Sequence, residues 1–173
     1  MPSYLVGFKA PLTAFDKLVE EPYELVPLEY RHLTLLYIGP NPPPRRDVEG
    51  ALAALSRYPE VDVTFRGLRP FPSFSRPRYL AAVPEDEGPV RALRRIVEPF
   101  LLKYSTDRYT EFKPHVTIAR SRAKPSLDLE IVAERIVKGS RRITERLVMR
   151  EVHLFRAEGG RLITVASTRL APR

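Results

Sequence analysis

The segments "HLTLLYIG" (32–39) and "HVTIAR" (115–120) open on one pattern: a histidine, an apolar residue, a threonine and a second apolar residue. That alternation has the period of a strand, so in each segment the histidine and threonine share one face while the apolar residues pack on the other. With nine threonines among 173 residues, a threonine two places after a given histidine is expected about once in twenty. Two such pairs among only three histidines is a coincidence at the level of about one in a hundred. A histidine that merely fills a core has no use for a hydroxyl roughly 7 Å along its strand, whereas a site that grips an anion gains a donor there. His32 and His115 lie 83 residues apart, about half the chain. The repeat therefore predicts two similar lobes that face each other.

The remaining segments supply matching elements. "YLVGFKA" (4–10) reads as a first strand, and "TAFDKLVEE" (13–21) as a short helix stopped by Pro22. The turn "GPNPPPRRD" ends the first histidine strand, because its prolines lack ladder donors. A helix starts near Asp47, with Val48, Ala51, Leu52 and Leu55 on one stripe. "VDVTFRGLR" (61–69) and "RYLAAVP" read as strands joined by "PFPSFSRP". The second half repeats the order: a helix at "PVRALRRIVEPFLLKY" that Pro99 should kink or divide, a polar loop, then the second histidine strand. "SLDLEIVAERIVKG" (126–139) reads either as a helix with Ser126 as cap and Gly139 as stop or as strand in part. "TERLVMREVHLFRAEGGRLITVAST" reads as a hairpin closed at Gly159 and Gly160. No linker or low-complexity tract divides residues 1–173, so one α+β domain is expected.

Several functions are excluded early. The chain has no cysteine, which removes disulfides, thiolate metal sites and cysteine nucleophiles. "MPSYLVGFKAPL" lacks the layout of a leader, and no stretch approaches the roughly 20 apolar residues of a membrane span. A soluble cytoplasmic protein, acting as a monomer without a membrane partner, is expected. The net charge is +8, and only 6 of the 29 basic residues are lysine. Arginine is the side chain best suited to paired hydrogen bonds with phosphate, so nucleic acid is the natural partner. The same arginine, with 18 prolines, a single asparagine and no glutamine, also fits a heat-adapted composition.

Two imidazoles across a cleft suit one chemistry well. Histidine alone has an unperturbed pKa near neutrality, so one ring can give a proton while its twin takes one. Opening a phosphodiester needs both, a base for the attacking water and an acid for the departing alkoxide on the far side of phosphorus. Thr34 and Thr117, with an arginine, would hold the nonbridging oxygens as charge develops there. That scheme needs no metal or other cofactor.

These residues resemble the 2H phosphoesterase superfamily, named for two H-x-T-x motifs, and within it the branch of 2′-5′ RNA ligases, also called RNA 2′,3′-cyclic phosphodiesterases. "HLTLLYIG" and "FKPHVTIAR" carry the likeness, "FPSFSRPRYL" and "LFRAEGGR" extend it, and together they span most of the chain. The resemblance implies a bilobal α+β fold, with pseudo-twofold-related lobes of antiparallel sheet and outer helices around a central cleft. It implies hydrolysis of RNA 2′,3′-cyclic phosphate ends, or of a cyclic nucleotide, to 2′-phosphomonoesters. By position His32 would be the acid protonating the leaving 3′ oxygen and His115 the base activating water. Thr34 and Thr117 would bind phosphate, and Arg120 would add a cationic contact. Run backwards with a 5′-hydroxyl in place of water, the same site would join RNA ends. This chain departs from the branch in a shortened first helix and in Ala81, which stands where an aromatic is common. Arg120, five residues after His115, would face away on a regular strand, so a strand end or bulge must turn it back.

Other readings stay open at this stage. His153 has Phe155 where the motif would need a threonine and reads as a packed histidine. A three-histidine zinc site is the rival, although no two histidines have helical ligand spacing. Phe112 either stacks on a base or packs in the core. Arg94 with Arg95, and Arg141 with Arg142, either extend an RNA track or form solvated faces. An RNA-binding module without catalysis, and a cyclic phosphodiesterase for a small nucleotide such as ADP-ribose cyclic phosphate, are the alternative functions.

Overall fold

The computed structural model describes residues 1–173. Its strands are β1 (Ser3–Lys9), β2 (Glu24–Leu25), β3 (His32–Gly39), β4 (Val61–Pro72), β5 (Pro77–Pro84), β6 (Val116–Arg120), β7 (Thr144–Met149), β8 (Glu151–Glu158) and β9 (Arg161–Arg169). They form one antiparallel sheet in the order β7-β4-β5-β6-β3-β1-β8-β9, with β2 attached beside β6. Helices α1 (Arg45–Leu55), α2 (Gly88–Leu101) and α3 (Leu127–Ser140) pack on it. Each helix buries one stripe: Val48, Ala51 and Leu55 from α1, Val90, Leu93, Val97 and Leu101 from α2, Leu129, Ala133, Ile136 and Val137 from α3. No helix is long and apolar enough to cross a membrane.

The strand groups β7-β4-β5-β6 and β3-β1-β8-β9 belong to one sheet and meet at a single registered pair, Leu33 opposite Val116. One apolar cluster of 34 residues runs beneath both. Past that pair β6 changes partner. Leu25 and Glu24 of β2 pair with Ala119 and Arg120, and the Val26 N–H donates to the Ile118 carbonyl at 2.8 Å. The chain leading into His32 is thereby drawn aside, and a cleft opens between the two histidine strands.

Several local expectations are corrected. Residues 13–21 hold only the 3-10 turn Asp16–Leu18, because the Glu145 carboxylate takes the N–H groups of Thr13 and Ala14 at 2.9 and 2.8 Å. Pro99 neither divides nor ends α2, which continues to Leu101 and then tightens into a 3-10 turn. Ser126 caps α3 as expected, its Oγ accepting the Leu129 N–H at 3.1 Å, but the helix passes through Gly139. Residues 144–168 are not one hairpin. β8 and β9 form it, while β7 pairs with β4 at the opposite edge of the sheet.

Candidate active site

His32 and His115 stand at the starts of β3 and β6 beside the Leu33–Val116 junction. Continued by one residue each way, that register sets His32 across from Thr117 and Thr34 across from His115. All four line one cleft of about 380 Å3, together with Arg120, Tyr30, Tyr79, Val26, Pro27 and Gly160.

The two rings are held in the same way. His32 Nδ1 lies 2.6 Å from the Tyr30 carbonyl and His115 Nδ1 lies 2.6 Å from the Lys113 carbonyl, each two residues back. A carbonyl only accepts, so both Nδ1 atoms carry a hydrogen, and each Nε2 is left without a protein partner. A phenylalanine from the strand two places away lies against each ring. Phe71 of β4 stacks on His115, centroids 4.7 Å apart at 24°, and Phe155 of β8 tilts against His32 at 6.4 Å and 57°.

The strand pairings explain how Arg120 reaches the cleft. In β6, Ala119 pairs with Leu80 and Thr117 with Ala81, so Ile118 is an extra residue. In β3, Leu36 pairs with Val6 and Thr34 with Gly7, so Leu35 is extra. Both bulges fall three residues after the histidine and reverse the parity of the rest of the strand. Arg120 therefore shares the face of Thr117, and Tyr37, its counterpart, shares the face of Thr34. Each extra residue's carbonyl is satisfied off the ladder, Ile118 by the Val26 N–H and Leu35 by the Arg94 guanidinium at 2.8 Å.

Beside each threonine sits a very small residue, Gly7 or Ala81. A Cβ on Gly7 would lie 2.3 Å from the Leu33 carbonyl oxygen. Ala81 is wholly buried, and the aromatic ring on that stretch of the cleft wall belongs to Tyr79 instead.

His32 is perturbed from its ordinary value. Burial lowers its pKa, the bond to the Tyr30 carbonyl opposes that, and the neighbouring His115 lowers it further. Tyr30 also meets its ring edge-on at 5.4 Å.

The other singled-out residues lie elsewhere. His153 is buried on β8, stacked on Phe155 at 4.7 Å, with Nδ1 3.1 Å from Thr164 Oγ1 and Nε2 3.4 Å from Glu151 Oε1. It does not join the pair, and no group of three histidine, cysteine or carboxylate side chains is placed to hold a metal ion. Phe112 packs against the core beneath Arg91 and Arg94. Arg94 is spent on the bulge carbonyl and on Glu98, while Arg95 is exposed and has no carboxylate partner. Nothing in the sequence marked the places that Phe71, Phe155, Gly7, Tyr79 and Arg94 take beside the histidine strands. Only the carbonyls of Tyr30 and Lys113, at one fixed offset from their histidines, had a signal within the motifs.

Each of the two histidine strands thus carries a histidine, a threonine two residues on and a bulge three residues on, and the four side chains line one cleft. The model of the 2′-5′ RNA ligase superfamily matches residues 11–161, and the chain belongs to that family. A curated Aeropyrum pernix protein, an RNA 2′,3′-cyclic phosphodiesterase, is 34% identical over 109 residues, which are 61% of each chain. The match thus spans about three-fifths of that relative's length. Among solved structures, TT0787 of Thermus thermophilus superposes with a TM-score of 0.68 at 23% identity, covering 97% of both chains. Escherichia coli LigT complexed with 3′-AMP superposes with a TM-score of 0.66 at 16% identity, covering 98% of this chain and 99% of LigT. These likenesses establish the same α+β fold.

Proposed function

We propose that this protein is a metal-independent 2′,3′-cyclic phosphodiesterase that opens cyclic phosphate ends of RNA to 2′-phosphomonoesters. The observation that carries the reading is the pair of imidazoles, both with Nδ1 committed to a carbonyl and Nε2 free, beside one cleft with two threonine hydroxyls. A cleft of about 380 Å3 lies within the range of small-ligand pockets and suits one terminal nucleotide. The name of the Aeropyrum relative points the same way.

In this scheme neutral His115 accepts a proton from water through Nε2 as the water oxygen attacks phosphorus. The bond from phosphorus to the 3′ oxygen breaks, and protonated His32 delivers its Nε2 proton to that oxygen. Thr34 and Thr117 donate to the nonbridging oxygens, and Arg120, which has no carboxylate partner, balances their charge. Burial and the nearby His115 disfavour the His32 imidazolium, so its acid role depends on the anionic substrate beside it to restore the proton. With a 5′-hydroxyl in place of water the same steps form a 2′-5′ linkage.

The test is direct. Incubation with a 2′,3′-cyclic nucleotide should give the 2′-phosphate at a rate unchanged by chelator. A 3′-phosphate product, or no turnover, overturns the assignment, and inactivation by chelator with rescue by zinc favours a metal site.

A further inference from the structure

On the far side of His115 from His32, a groove of about 800 Å3 begins at Phe71, passes the bend in β4 at Gly67 and ends at Ser140 and Arg141 at the C-terminus of α3. Among its charged lining residues, five cations (Arg66, Arg69, Arg91, Lys113 and Arg141) face two carboxylates (Glu87 and Glu111). Arg66 and Arg91 are neutralised by Glu85 and Glu87, whereas Arg69, Lys113 and Arg141 have no carboxylate partner, and Glu111 is the one unpaired acid. Phe74, at the tip between β4 and β5, is 54% exposed. Unpaired cations beside an exposed aromatic ring are what a single-stranded nucleic acid uses, phosphates on the cations and a base on the ring.

The position of the groove selects the strand. In the sheet order β4-β5-β6-β3, the line from His115 through phosphorus to His32 runs from β6 to β3, so β4 lies behind the base. Arg69 pairs with Ala81, which pairs with Thr117, so Arg69 shares the cleft face. The ribose that keeps the cyclic phosphate lies toward His32, where its 3′ oxygen leaves. Hydrolysis asks for nothing larger than water on the His115 side.

We propose that this groove binds the single-stranded RNA whose 5′-hydroxyl attacks the cyclic phosphate, making ligation an activity with its own binding site. The proposal rests on the assignment of His115 as base. The 5′ oxygen bonds to phosphorus, its proton passes to His115, the 3′ oxygen leaves with the proton of His32, and a 2′-5′ diester with a free 3′-hydroxyl results.

The experiment gives the protein a 2′,3′-cyclic mononucleotide and a 5′-hydroxyl hexaribonucleotide blocked at its 3′ end, and measures the ratio of joined to hydrolysed product. The Arg69→Ala, Arg141→Ala double variant should lower that ratio at least tenfold, and Phe74→Ala by less, with hydrolysis of the mononucleotide alone within twofold of the parent. Fluorescence anisotropy of the labelled hexanucleotide should show weaker binding in the double variant, with a salt slope smaller by about 1.4 for two lost phosphate contacts. An unchanged ratio, or unchanged binding, overturns the proposal. So does a variant that instead slows hydrolysis of a cyclic-ended hexanucleotide, which would put the cyclic-phosphate strand in the groove. If the parent fails to hydrolyse the mononucleotide, the catalytic reading falls while anisotropy still decides whether the groove binds RNA.

Discussion

His32 and His115 are fixed alike, each by a carbonyl two residues back, yet His32 is closed in by Tyr30 and Phe155 while His115 lies flat on Phe71 at the mouth of a basic groove. The strand template repeats position, including the bulge three residues beyond each histidine. Neighbours from other strands supply the difference. The proposed acid and base need equal placement and unlike protonation. The sheet supplies the placement, whereas the surroundings of His32 favour its neutral form, so the acid role proposed for it depends on the anionic substrate to restore its proton. Burial and the nearby second ring depress the His32 pKa, a consequence of its surroundings and not of its motif.

The largest expected effect breaks the pair itself. His32→Ala and His115→Ala should each lower turnover of a cyclic nucleotide by roughly 10² to 10⁴, as for a lost acid or base group. Thermal melts should show both variants folded. Full activity in either one would mean that the halves do not work together.

Next comes the small residue beside each threonine. Gly7→Ala drives a methyl group against the Leu33 carbonyl and should cost roughly 1–3 kcal/mol in urea unfolding, as overpacking does. Ala81→Gly removes a buried methyl without a clash and should cost about 0.5–1 kcal/mol from backbone freedom. Equal costs would show that β1 and β5 approach their histidine strands equally closely.

The smallest effect sharpens the electrostatic contrast. In an NMR titration the His32 imidazole should have its midpoint below 6.5, and His115→Gln should raise it by removing a like charge. Between that midpoint and about 6.5 the unfolded chain binds the proton and the folded chain does not, so stability falls as pH drops through this window and levels off below it. A His32 midpoint above 6.5 would break the comparison at its root.

Much of this was readable from residues alone, because alternation along a strand is a local property. The motifs marked both histidine strands and the face that each histidine shares with its threonine. The apolar stripe of α1 and the Ser126 cap of α3 marked those helices. The misleading signals were equally local: residues 13–21 and 144–168 carry plausible patterns, but a distant carboxylate, Glu145, and a distant strand, β4, take them elsewhere.

By itself the sequence singled out the side chains of the proposed chemistry, since their types and spacing are written along the chain. The tertiary structure alone decided that Arg120 turns inward, that Phe71 and Phe155 flank the rings, and that the basic groove lies behind His115. Bulges and neighbours arise from hydrogen bonding between strands distant in sequence, and only the assembled sheet fixes which residue stands opposite which.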